Sequence, residues 1–308
     1  MTPRERLSAA VNGGTVDRVP YSAWHHFMLT PRAGVGSGLA EAEQRFFQSF
    51  EPDLLKAMHD IDYEPTPEIN TPDDWRSLTP LKPHCGNFGR QLDSLHVLRW
   101  ELNPDVPVIA TVFGVYHYAN ELSKGKLLEH LRQAPDTVNL GLAAIAESLR
   151  RYARATIEIG CEGIYYAVNG ATGEGATRDE YLAPFLEYDR MVLESVQTAP
   201  FNVLHLHGYK DIYFDMVNDL PAKIVCWSDQ AGNGPSLKEA RTLYGGCLMG
   251  GIDETSFGDL NPEQIKLQGL VAIKEAGRDK LILSPGCAVS SNVSADRLLA
   301  LRQAAIES

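Results

Sequence analysis

The chain has 308 residues, 44% hydrophobic and 22% charged, enough for a large buried core. Its formal net charge of -12 leaves no basic field to hold phosphate backbones or an anionic membrane surface, so a nucleic-acid partner is excluded. No apolar run approaches the ~20 residues that a membrane helix requires, and the charged start "MTPRERLSAAVNGG" lacks a leader's apolar core, so a cytoplasmic location without a membrane partner is expected.

In chain order, the first half supplies three apolar strand-like runs: "RVPYSAW" (18–24), "LLKAMHD" (54–60) and "PVIATVFG" (107–114). The third precedes a strong amphipathic helix over 136–160. The second half repeats one unit five times. "EGIYYAV" (162–168), "FNVLHLH" (201–207), "KIVCWS" (223–228), "CLMGGI" (247–252) and "KLILSPG" (280–286) each precede a segment expected to be helical, the one after 207 being "KDIYFDMVNDLP". Eight strands alternating with helices predict a single (β/α)8 TIM barrel over residues 1–308. Insertions follow the first strand (28–44) and the second (63–91), where they would build the rim of a site. No glycine-rich dinucleotide-binding turn follows an early strand. The outer helical faces are apolar enough to pack in a homo-oligomer without showing a special patch.

Five scattered cysteines, Cys85, Cys161, Cys226, Cys247 and Cys287, argue for reduced thiols rather than a disulfide framework. Cys226 and Cys247 lie in apolar runs and read as buried structural thiols. Cys287, in "LSPGCAVSS", follows a Pro-Gly stop and can curl over the mouth of the barrel.

Side chains at i and i+2 of a strand share a face, so His205 and His207 point together toward that mouth. Two buried imidazoles need partners, because each unpaired polar group costs about 1–3 kcal/mol. Either each bonds a carbonyl or carboxylate and fills space, or both hold a metal. With Cys287 they would bind Zn2+ as an open tripod of formal charge +1, leaving a fourth position for water or a small-molecule substrate. Such a site can turn a thiol into a thiolate or activate water.

Several stretches together resemble the uroporphyrinogen decarboxylase superfamily across nearly the whole chain. They are "RERLSAAVNGGTVDRVPYSAW", "DLLKAMHDIDYEPTPEINTPDDWRSLTPL", "ATVFGVYHY", "HLHG" and "LSPGCAVSSNVSADRLLALRQ". The nearer likeness is to its zinc-dependent methyltransferases, which pass methyl groups between a corrinoid protein and a thiol. That branch ligates zinc through His-x-Cys and a distant Cys. By resemblance His205 is the first ligand, His207 stands where the branch has its first Cys, and Cys287 is the second. A corrinoid would arrive on a separate protein, since no segment is left over for a corrinoid domain. The metal-independent decarboxylases hold acidic substrates with an arginine-rich segment after the first strand. Here that place reads "SAWHHFMLTPR", without an arginine pair. Their catalytic Asp and Tyr match Asp60 and Tyr118, so a carboxy-lyase of a tetrapyrrole or aromatic acid stays open as the alternative.

Other groups near strand ends complete the candidates. Asp229 and Glu174 would orient a ligating histidine, complete the metal shell or act as a base. His25, His26, Tyr116, Asn169 and Asp253 are candidate substrate contacts, with a cap or turn as the competing reading of Asn169 and Asp253. At most one of His25 and His26 faces inward if the first strand continues through them, and under the same strand rule Tyr116 and Tyr118 share a face, as an aromatic wall or a proton donor.

Overall fold

The computed structural model describes residues 1–29, 36–59, 62–64, 68–232 and 234–308. Seven parallel strands form one curled sheet whose spatial order is their chain order, consistent with a TIM-like barrel. They are β1 (Leu55–Ala57), β2 (Val108–Phe113), β3 (Ile164–Asn169), β4 (Val203–His207), β5 (Ile224–Trp227), β6 (Cys247–Ile252) and β7 (Leu281–Pro285). Parallel neighbours need crossovers, and helices supply most of them. In chain order the helices are α1 (Pro3–Asn12), α2 (Ser37–Phe50), α3 (Gly86–Glu101), α4 (Val115–Leu122), α5 (Leu127–Gln133), α6 (Pro135–Glu158), α7 (Arg178–Glu194), α8 (Leu237–Leu243), α9 (Pro262–Ala276) and α10 (Ala295–Ile306).

Strand alternation divides the core in two. Ile109, Tyr165, Ala167, Val203, Cys226, Met249 and Ile282 point inward and pack with Leu7 and Val11 of α1. Their alternates, such as Ala110, Tyr166, Leu204, Leu206, Val225 and Leu283, face the helical layer. Cys226 and Cys247 are buried free thiols.

Three local expectations change. The run 18–24 meets its neighbours only through isolated bridges, Tyr21 to Leu283 and His25 to Val289. Even so, residues 20–22 are bonded on both sides: Leu283 N donates to Pro20 O, Ser22 N to Leu283 O, and Asp53 N to Tyr21 O. Pro20 has no N–H, and the Tyr21 N–H is taken by the Asp53 carboxylate at 3.0 Å, so a regular ladder cannot form. After β4, the segment 210–221 holds a short 3-10 turn, Phe214–Asp219, in place of a helix. Asp211 has φ 50°, which breaks any helix begun at 210. Finally, β2 stops at Phe113 and α4 begins at Val115, so Tyr116 and Tyr118 lie on a helix and diverge. The two long segments expected as insertions contain α2 and a 3-10 turn, Pro72–Ser77.

Asp53 ties the first strand-like run to the sheet. It is 1% exposed and accepts from Arg6 Nη1 at 2.5 Å, Arg18 Nη1 at 2.6 Å and Tyr21 N at 3.0 Å. Asp53→Ala leaves two guanidinium groups without their shared counter-charge. We expect a loss of about 3–5 kcal/mol in urea unfolding; a loss below about 1 kcal/mol would mean that water replaces the carboxylate freely.

Candidate metal centre

The period of β4 sends Leu204 and Leu206 outward and His205 inward, where it is 2% exposed. Register with β5 sets His205 beside Cys226, and His205 Nδ1 lies 3.3 Å from the Cys226 carbonyl oxygen. That acceptor fixes the proton on Nδ1 and leaves Nε2 as a lone pair. Nε2 faces His207 Nδ1 at 3.4 Å, and the Cys287 Sγ lies 3.6 Å from the same His207 Nδ1. The three donor atoms are all within 4.8 Å of one another.

Cys287 reaches the histidines although β4 and β7 are separated by β5 and β6. The device is Gly286. A Cβ on Gly286 would stand 2.5 Å from Trp227 O and 2.6 Å from the Ser228 Cα, so only glycine lets the chain cross the end of β5 this closely. The crossing carries the next residue toward β4. A second glycine serves the other side: a Cβ on Gly208 would meet the Thr172 methyl at 2.5 Å, and its φ is 144°.

The donor set fits a metal. Burial holds the His205 imidazole well below its usual range, with His207 and Lys56 acting in the same direction. His207 is lowered chiefly by burial, against the pull of Glu174. Both rings therefore offer unprotonated nitrogens. Burial raises the Cys287 thiol, so this group would release its proton only on meeting a cation. Tetrahedral Zn2+ with ordinary bond lengths would separate two nitrogens by ~3.4 Å and a nitrogen from a sulfur by ~3.6 Å; the His205–His207 and His207–Cys287 pairs stand at those distances, and the His205–Cys287 pair lies within 4.8 Å.

Groups that no local pattern marked surround this cluster. Lys56 points inward from β1, with Nζ 3.1 Å from Met58 Sδ and 5.3 and 4.8 Å from the ring centroids of Trp24 and Tyr165. Tyr165 in turn lies against His205, ring centroids 5.0 Å apart. Glu254 is buried and takes a hydrogen bond from the Ser228 hydroxyl, and its second oxygen, Oε2, makes no hydrogen bond of ordinary geometry among the described residues. His117 stacks on Phe113, and burial pushes its imidazole down to about 4.

The remaining sequence candidates separate. Tyr116, Asn169 and Glu174 line a cavity of about 350 Å3 together with His117, His207 and Tyr209. Asn169 is the β3 register partner of His207, and the Glu174 carboxylate accepts from Tyr209 N at 2.9 Å. Tyr118 is fully buried, its hydroxyl 3.0 Å from His59 Nε2. Asp229 accepts from Gly251 N at 2.9 Å and Gln230 Nε2 at 2.7 Å, and burial raises its carboxyl to about 7. Asp253 receives the amides and hydroxyls of Thr255 and Ser256, a turn cap. His25 faces a different cavity, beside Phe27 and Phe46, and His26 is exposed. Asp60 lies outside the described residues.

Two outcomes follow from this geometry. Gly208→Ala should weaken zinc binding by at least about tenfold, the cost of displacing a ligand's support, with part recovered when Thr172→Ser removes the clashing methyl. Competition with a chromogenic chelator reads this, and unchanged affinity in the single variant would refute it. Asp229 binds a proton in the folded chain between its unfolded value near 3.8 and its folded value of about 7. Its contribution to stability therefore falls as pH rises through that window and levels above it. Asp189, raised by burial to about 6, acts in the same sense. Urea midpoints measured against pH should decline less steeply in Asp229→Asn than in the parent, and identical slopes would contradict the assignment.

Comparisons with known proteins bear on the fold and the family. A methyltransferase from Methanosarcina mazei superposes with a TM-score of 0.86 at 19% identity, covering 100% of this chain and 99% of that one. A B12-independent methionine synthase from Shewanella sp. W3-18-1, in complex with selenomethionine, gives 0.62 at 14% identity over 94% and 93% of the two chains. A putative vitamin-B12-independent methionine synthase from Listeria monocytogenes gives 0.51 at 11% identity over 82% and 72%. At these identities the likeness is one of fold. A search of curated proteins returns no match. Among the described residues no helix is long and apolar enough to cross a membrane. Residues 59–308 match the family Uroporphyrinogen decarboxylase (URO-D), and the chain belongs to that family.

Proposed function

We propose that the chain is a methyl or alkyl transferase, built on a closed (β/α)8 barrel, that uses Zn2+ held by His205, His207 and Cys287 to activate a thiol. The observation that carries this reading is the convergence of two imidazoles and a thiol, all within 4.8 Å, on the inner face of the strand ends beside an open cavity. When bound, Zn2+ supplies a Lewis acid that lowers the pKa of an acceptor thiol.

The chain's own groups do the rest. The Cys226 carbonyl and the Tyr165 ring hold His205 in one orientation and one tautomer. Cys287 gives up its proton on metal binding and contributes the single negative charge of the tripod. The cavity beside His207 takes the body of the acceptor. The acceptor's proton leaves to solvent and a C–S bond forms to the methyl carbon. The donor keeps the electron pair of the bond it loses. A methylated corrinoid on a separate protein suits this heterolysis, docking over the open strand ends.

The decarboxylase alternative finds less support. Tyr118 turns to His59 and away from the cavity, and no lysine or arginine occurs among the described residues that line it to pair with a polycarboxylate. Elemental analysis is the direct test: purified protein should carry or take up about one equivalent of zinc, lost in Cys287→Ala. The loaded protein should then convert methylcobalamin and one of a panel of thiols to the methyl thioether, read by mass spectrometry. No zinc before or after reloading would sink the proposal, and saturable thiol binding without product would reduce the chain to a binder.

A further inference from the structure

The cavity beside the tripod has a chemical character of its own. It is walled by the start of α4, the loop after β3 and the end of β4. Its polar lining combines one carboxylate, Glu174, with the carboxamides of Asn120 and Asn169 and no lysine or arginine among the described residues. Asn169 Oδ1 is buried without a hydrogen-bond partner among the described residues, although its residue is the register neighbour of His207. An amide oxygen in that state costs about 1–3 kcal/mol unless something donates to it. Glu174 adds the one acidic group among the described lining residues. One of its oxygens is anchored by the Tyr209 amide at 2.9 Å, which holds the carboxylate in place. The aromatic rings of Tyr116 and Tyr209 complete the wall, a setting that suits a cation. The buried ammonium of Lys56 sits inside the barrel over Trp24 and Tyr165 and does not line this space. The net charge of -12 favours the approach of cations as well.

We propose that this cavity is a subsite for an N–H-donating ammonium group, so that the acceptor of the transfer reaction is a small aminothiol rather than a thiol with a carboxylate, sulfonate or phosphate at its far end. The ammonium would pair with the Glu174 carboxylate, the one lining acid, and would gain a second acceptor in Asn169 Oδ1 once the side-chain amide turns that buried oxygen into the cavity. An anionic head would face that acid with no counter-charge among the described lining residues. The aminothiol assignment rests on the transferase reading; the ammonium subsite does not.

The two are separable by calorimetry. The zinc-loaded chain, freed of excess metal, is titrated near pH 7 with 2-aminoethanethiol, 2-mercaptoethanol and 2-mercaptoacetate. The metal-free chain is titrated with propylamine and propionate, which lack sulfur. The amine should bind at least about tenfold more tightly than its acid counterpart in each set, the worth of one charge-assisted hydrogen bond over a neutral one. Glu174→Gln keeps an oxygen for the Tyr209 amide and removes only the charge, so it should fold normally and cut that preference to about threefold or less. Asn169→Ala should lower amine affinity without affecting zinc content. An acid that binds as tightly as the amine in the parent chain, or a preference unchanged in Glu174→Gln, would overturn the proposal. Failure to take up zinc, with the propylamine preference intact, would instead defeat the transferase reading and leave the subsite standing.

Discussion

The site depends on three donor groups that the fold turns toward one another, His205 buried and His207 and Cys287 half-buried. Inside the strand ends, His205 has one carbonyl, at Cys226, and otherwise faces His207, which faces Cys287 in turn. Burial makes protonation of either imidazole costly and also makes ionisation of the thiol costly. A neutral cluster of that kind is held together by weak contacts at 3.4–3.6 Å. A divalent cation reverses the balance, since it engages both lone pairs and the thiolate at once. The low-dielectric interior that penalises each ionised group alone thus favours the combination.

Holding that cluster is a backbone task more than a side-chain one. β4 supplies two ligands by its period alone, but the third follows a strand three positions further round the sheet. Gly286 closes the gap by running against Trp227 O and the Ser228 Cα. The same close approach presses Glu254 Oε2 toward Gly286, where a Cβ would stand 2.9 Å away. On the other flank Gly208 admits the Thr172–Glu174 loop, whose carboxylate anchors the Tyr209 amide. The tripod and the cavity are therefore positioned by one set of loop contacts, and a change in either loop is felt in both.

Much of this was legible in the sequence because it rests on local period. The five strands of the second half with helices after four of them, the inward pair His205 and His207, and the Pro-Gly release before Cys287 each follow from residues close in the chain. What escaped rests on contacts between distant segments. Lys56 reads as a lone charge in "LLKAMHD" until Trp24 and Tyr165 are brought around it. Glu254 reads as part of a turn until Ser228 and Gly286 arrive from other strand ends. Tyr118 lies five residues past Phe113, beyond the boundary where Gly114 hands the chain to α4, so the strand period does not reach it. The first strand-like run was over-read for a physical reason too, since an apolar pattern does not reveal that Pro20 and the Asp53 carboxylate take its ladder positions.

His207 remains the position where this chain departs from the ligand set expected by resemblance, and the structure supplies a consequence. A thiolate there would add a second negative charge beside Glu174, in a cavity that already presents acceptors. An imidazole keeps the tripod's charge at one thiolate and leaves a ring face as cavity wall. With a metal held as proposed, the more positive centre would be the stronger Lewis acid toward a thiol, while the acidic charge is displaced outward to Glu174. Separating the two charges lets a single small molecule meet a Lewis acid at its sulfur and an acid at its other end. That polarity selects an orientation as well as a ligand, because the reversed molecule would set an ammonium against the cation and a thiol against the carboxylate.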